Sequence, residues 1–225
     1  MTLIFTERNT MTKKHGKLYS LGEEIFNSVS HGTGAALAVA GCVLLIIKAA
    51  ISKSGAVGIV SAALYGASLV ILYTMSTLYH ALTNKTAKKV FRIFDHCTIF
   101  VLIAGTYTPY TLITLRGWVG YTIFSVLWGV TVLGIVLNAV NLERFRIISM
   151  VFYIVMGWCI IFAIRPMLSS LDAKGLILLL AGGIFYTGGL LFYKQKNKYM
   201  HSVWHLFVLA GSLCHYFSVM FSVYA

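Results

Sequence analysis

Apolar residues run in long unbroken stretches at roughly 29–50, 57–80, 95–114, 118–139, 147–168, 175–193 and 202–224. A helix needs about 20 predominantly apolar residues to cross a bilayer, so the pattern predicts seven membrane helices. Each stretch is too long and too uniformly apolar for the alternating strand of a barrel. The connections are a few residues long, except for a basic one of about a dozen after the second stretch, which leaves no room for a second domain. Residues 1–22 read as a polar tail and residues 23–225 as one helical domain. A signal peptide is not expected, because the first apolar stretch follows that tail and carries Glu23 and Glu24 at its edge.

Composition agrees with the pattern. Of 225 residues, 59% are hydrophobic and 11% charged, and the mean hydropathy is +0.84. Ordinary soluble domains are about 25% charged; this chain could not cover a water-facing surface of its size. A soluble enzyme, a disordered chain and a coiled coil are thereby excluded, and the class is an all-α integral membrane protein of the cell (plasma) membrane, crossing it several times. Across the seven expected crossings, the tail and the second, fourth and sixth connections hold thirteen Lys and Arg against five on the other side. That imbalance places the N-terminus in the cytoplasm and the C-terminus outside. The net charge of +12 then reads as topology and attraction to anionic headgroups, with no nucleic acid required. Cys42, Cys97, Cys159 and Cys214 sit singly within stretches and read as small buried hydrophobes. Pro109 lies inside the third stretch and predicts a kink.

Polar residues inside the apolar stretches are the candidates for function, because an ionisable group in hydrocarbon costs roughly 2.5–3.5 kcal/mol on insertion scales. Glu24, Asn27 and His31 fall on one stripe of the first helix; Ser76 and His80 lie one turn apart near the end of the second; Asp95 and His96 begin the third; His201 and His205 begin the seventh, with His215 deeper. Loop placement brings the first four groups to one depth near the inner leaflet. Two histidines at i and i+4 can both reach one metal ion, and a third imidazole completes an open three-ligand site of the catalytic zinc type. Here the trio is His80, His201 and His205. Imidazoles suit zinc, whereas calcium or magnesium would take oxygen ligands. Asp95 is placed to orient a ligand or hold a water, and Ser76 to donate a hydrogen bond toward that water or a carbonyl. A histidine pair by itself also occurs in packed cores. His31 reads as a ligand, a supporting group or a satisfied polar residue between helices; Glu24 and Asn27 as a helix cap or ties between helices. His96 points about 100° away from Asp95 on an ideal helix and reads as interfacial, while His215 reads as packed within the bundle.

In order along the chain, E-x-x-N-x-x-S-H from Glu24, S-x-x-x-H from Ser76, D-H-C-T-I-F-V-L-I-A-G-T-Y-T-P from Asp95 and H-x-x-x-H from His201 resemble the hemolysin III branch of the progestin and adipoQ receptor family. That family includes the adiponectin receptors and is more distantly similar to alkaline ceramidases. The resemblance spans nearly all of residues 20–225 with no departure at the motif positions. It implies a seven-helix fold with the N-terminus inside and zinc held by His80, His201 and His205. It further implies that Asp95 contacts the metal's water, with Ser76 beside it.

Three functions remain open at this point. The first is an intramembrane zinc-dependent hydrolase of lipid amides or esters, with Asp95 and Ser76 as catalytic residues and a membrane lipid or fatty acyl ligand in the bundle cavity. The second is a receptor-like membrane-homeostasis protein whose zinc is structural. The third is a pore-forming hemolysin, implied by the branch name alone; a chain this apolar has no obvious soluble form.

Overall fold

The computed structural model describes residues 19–225, so all but the end of the polar tail, including His15, lies outside the described residues. The chain folds into helices α1 (Leu21–Ile51), α2 (Gly55–Ala81), α3 (Lys85–Pro109), α4 (Gly117–Trp158), α5 (Ile164–Ser170), α6 (Ala173–Tyr193) and α7 (Met200–Ser218). A π turn follows α3 at Tyr110–Leu115, a 3-10 turn joins α4 to α5, and a second π turn follows α7. Six helical stretches are long and apolar enough to cross a membrane.

Hydropathy and observed helices differ in three instructive places. The basic connection expected after the second apolar stretch is mostly helical: only residues 82–84 lie outside α2 and α3. Asn84 accepts from the backbone N–H groups of Thr86 and Ala87 at 3.0 Å each, starting a helix that polar residues then continue. Likewise α1 begins at Leu21, eight residues before its apolar stretch. Ser20 and Glu23 form a reciprocal capping box there, and the polar Glu24 and Asn27 are good enough helix residues to be wound in.

The third difference concerns the fourth and fifth stretches, which join in one helical run of 54 residues from Gly117 to Ser170. At Asn141 the backbone leaves the helix (φ −161°, ψ 92°). A straight helix would hold residues 138 and 149 about 16 Å apart along its axis. Instead the Ser149 hydroxyl donates to Asn138 Oδ1 at 2.6 Å, so the chain reverses at Asn141. The Asn141 carboxamide oxygen accepts from Arg144 N at 3.0 Å, capping the returning half.

Helix α1 packs on α2 and α7, α2 on α3, α3 on α4, and α6 on α7, whereas α6 barely touches α4. Small residues permit the closest approaches: a Cβ on Gly66 would come within 2.9 Å of the Cys42 backbone. Pro109 interrupts the ladder as expected, and the Thr108 and Thr111 hydroxyls donate to the carbonyls of Ala104 and Tyr107 where the helix widens into its π turn. Interior polar ties replace hydrophobic drive in lipid: Tyr73 Oη donates to Ser212 Oγ at 2.6 Å, joining α2 to α7.

Candidate metal centre and cavity

One end of the bundle gathers the first turn of α1, the last of α2, the first turns of α3 and the start of α7. His80, His201 and His205 each offer a ring nitrogen, and these three atoms lie within 4.8 Å of one another. The Nε2 atoms of His201 and His205 are 3.1 Å apart. Nitrogens binding one tetrahedral zinc at about 2.05 Å are separated by about 3.3 Å, so the pair is already spaced for a shared ion.

His80 Nδ1 meets Glu24 Oε2 at 2.7 Å. An ionised carboxylate only accepts, so Nδ1 carries the proton and Nε2 presents a lone pair. That Nε2 is buried and has no protein partner. A buried polar atom without a partner is expensive, and His205 Nδ1 is a second one in the trio; three converging imidazoles with such atoms fit a cation, and the donor set fits zinc. Among the described residues, His80, His201 and His205 form the one group with this ligand geometry.

The surrounding residues are placed as follows. His31 is buried and stacks face-on against His205, with ring centroids 3.7 Å apart, packing beside the trio. Asn27 is fully buried one turn before it. Ser76 is buried one turn before His80. Asp95 lines a cavity together with His201, His31 and His96. His96 differs from the interfacial reading: its Nδ1 donates to the Arg92 carbonyl at 2.9 Å and lies 3.6 Å from Asp95 Oδ2. His215 packs in the bundle as expected, stacked on Tyr186 with centroids 5.5 Å apart.

Three features of this end carry no periodic signal. Tyr19 stacks on His201 at 4.6 Å between centroids and lies 5.6 Å from His80. Glu23 accepts from Tyr199 N at 2.8 Å, fixing the residue before α7 in a left-handed conformation (φ 64°). Lys88 reaches the second oxygen of Glu24 at 2.8 Å.

The cavity measures about 360 Å³, within the range of small-molecule sites. Its lining on the returning half of α4, the 3-10 turn and α5 runs from Leu142 to Leu168, about 40 Å of helical rise and so enough to cross the hydrocarbon. The histidine end is polar, with Asp95, His96, Arg146 and His201; the far end is lined by Ile161, Ile164, Leu168, Leu176 and Leu180.

A helical membrane bundle with a largely buried three-histidine cluster, one member of which (His201) borders a long apolar cavity, is the class this geometry defines. Residues 19–216 match the model of the haemolysin-III related family, and the chain belongs to that family. It is 44% identical to Hemolysin-3 of Bacillus cereus over 95% of this chain and 98% of that one. It is 42% identical to the Hemolysin-3 homolog of Bacillus subtilis (strain 168), over 91% and 96%. A more distant relative, the human Monocyte to macrophage differentiation factor, is 26% identical over 71% of this chain and 69% of its own. The chain is a multi-pass membrane protein.

Proposed function

We propose that this protein is a zinc-dependent intramembrane hydrolase acting on the amide or ester bond of a membrane lipid. The observation that carries the reading is the convergence of His80, His201 and His205, with a partnerless buried nitrogen on His80, where His201 borders the polar end of an apolar cavity long enough to hold an acyl chain. The reversal at Asn141 supports two crossings within the 54-residue run, hence seven in all. The charge imbalance supports a cytoplasmic N-terminus and puts the site near the inner leaflet.

His80, His201 and His205 would hold the ion. A bound zinc supplies Lewis acidity toward a carbonyl and makes a neighbouring water more acidic. Asp95, lining the same space as His201, holds and accepts a proton from that water at its carboxylate oxygens. Ser76 Oγ is the hydrogen-bond donor for a developing oxyanion, one turn from His80. The apolar wall binds the acyl chain, excludes bulk water and directs the polar bond of the lipid toward the histidines.

The test uses purified protein with ceramide and related acyl lipids in detergent or vesicles. Turnover is expected for the wild type and lost in His205→Ala and Asp95→Asn. Equal turnover by wild type and His205→Ala would overturn the mechanism. Chelation that lowers Tm while no lipid is turned over under any condition would assign the histidines a structural role instead.

A further inference from the structure

Resting on the reading of the histidine trio as a metal site, we propose that Glu24 is the positioning residue that selects the tautomer of His80 and aims its Nε2 at the ion, and that Lys88 holds the Glu24 carboxylate in place for this. Neither residue touches the metal. Glu24 Oε2 lies 2.7 Å from His80 Nδ1 and Oε1 lies 2.8 Å from Lys88 Nζ, so the carboxylate spans α1, α2 and α3. The His80 side chain is fully buried and those of Glu24 and Lys88 are largely so.

Glu24 is free for this task because its neighbour performs the others. Glu23 closes the capping box with Ser20 and anchors Tyr199 N at 2.8 Å. The ordinary work of a first-turn acid, capping and tying the helix start, is therefore already done one residue earlier. What remains for Glu24 is a specific pairing with one nitrogen of one imidazole.

The chemistry follows from that pairing. A neutral imidazole carries its proton on one nitrogen only, and the carboxylate fixes it on Nδ1. Without an acceptor there, the proton is free to occupy Nε2 and remove the lone pair that faces His201 and His205. A carboxylate on the remote nitrogen also makes the ligating nitrogen more basic, and loss of such a partner typically weakens metal binding 10–100-fold. Lys88 adds a geometric constraint. It lies seven residues before Asp95, on the same face of α3. The helix that grips Glu24 thus also carries the candidate acid, and His80 and Asp95 are set relative to each other through Glu24.

The experiment loads Co²⁺ into the metal-stripped full-length protein in detergent and reads affinity by chelator competition, the visible ligand-field bands, and Tm of the metal-free form. Glu24→Gln is expected to bind Co²⁺ 10–100-fold more weakly than wild type, with shifted bands and an unchanged metal-free Tm; Lys88→Met should lose a few-fold in the same direction. Wild-type affinity and bands in Glu24→Gln would overturn the proposal, as would an affinity loss that merely follows a fall in metal-free Tm. If Glu24→Gln does not fold, Lys88→Met decides alone, and unchanged affinity there counts against it. A wild type that takes up no Co²⁺ would instead remove the metal reading itself, and this one with it.

Discussion

At the histidine end, four helices are tied by named polar contacts: Glu23 to Tyr199, Glu24 to His80 and Lys88, and His31 against His205. At the far side of the cavity, the returning half of α4 and α6 face each other across apolar residues. Their one direct hydrogen bond among the described residues runs from Trp158 Nε1 to Thr187 Oγ1, at 2.9 Å and exposed. Both regions belong to one bundle, yet one is over-determined and the other loosely joined. A site that must hold several imidazoles within tenths of an ångström needs the first kind of construction. A wall that must admit and release a long flexible chain needs the second, because low local stability is where opening occurs.

The largest effect expected from breaking this contrast is at the rigid end. His205→Ala removes one of the three proposed ligands and, on that reading, should reduce bound zinc from about one per chain to a small fraction, measured by elemental analysis of protein purified without added metal. It also leaves His201 Nε2 without its partner at 3.1 Å. A substitution on the loose wall should do the opposite. Leu180→Trp, placed in the cavity's apolar end, should reduce co-purified acyl lipid severalfold, read by mass spectrometry, while zinc stays at the wild-type level. If both measurements fall together in either variant, the two regions are not separable as described.

Next in size is the hairpin at Asn141. Ser149→Ala leaves the buried Asn138 carboxamide oxygen without its donor, and a buried unsatisfied acceptor costs about 1–3 kcal/mol. Tm in detergent should fall by several degrees, with zinc content unaffected. Tyr153 Oη accepts from Asn138 Nδ2 and donates to the His96 carbonyl at 2.7 Å, which joins the hairpin to α3. A fall in zinc as well would mean that the hairpin supports the histidine end through that link.

How much of this was legible in the sequence follows from what each signal measures. Hydropathy found every apolar stretch and, with loop polarity, brought residues as distant as His80 and His201 to one depth. The i, i+4 spacing then picked out His201 and His205. Hydropathy misread Lys85–Arg92 as a loop, because it reports polarity and not backbone conformation; the cap at Asn84 was the readable signal. Asp95 was expected near the histidines from its position at a helix start, and a bundle cavity was expected for an acyl ligand, but the residues that wall it were not, since they are drawn from all seven helices with no shared periodicity. Glu24 could be placed on the right stripe of α1, whereas its choice of His80 over a helix cap depends on how α1 and α2 cross. Tyr19 precedes the first helix and has no periodic neighbour, so nothing in the chain marks it as a stacking partner of His201.

The smallest expected effect lies at the opposite membrane face from the histidines and tests whether that end contributes only ordinary capping. Asp172 begins α6, where its carboxylate accepts from Ser222 Oγ at 2.5 Å and Gly175 N at 2.9 Å. The Ser222 hydroxyl first, and the Gly175 amide after it, hold this carboxyl below the usual carboxylate range. A depressed folded-state pKa stabilises the protein above the unfolded value, near 3.9, and the contribution disappears as pH falls through the lower folded value. The wild type should therefore exceed Asp172→Asn slightly in Tm at pH 6, with the gap closing toward pH 3. Because Asp172 is exposed, salt and solvent screen the interaction, and the gap should stay below that of Ser149→Ala at every pH. A gap that widens on acidification would mean that Asp172 is not the acceptor in this cap. A gap as large as that of Ser149→Ala would mean that the far end is held as firmly as the hairpin, which would remove half of the contrast between a fixed site and a yielding wall.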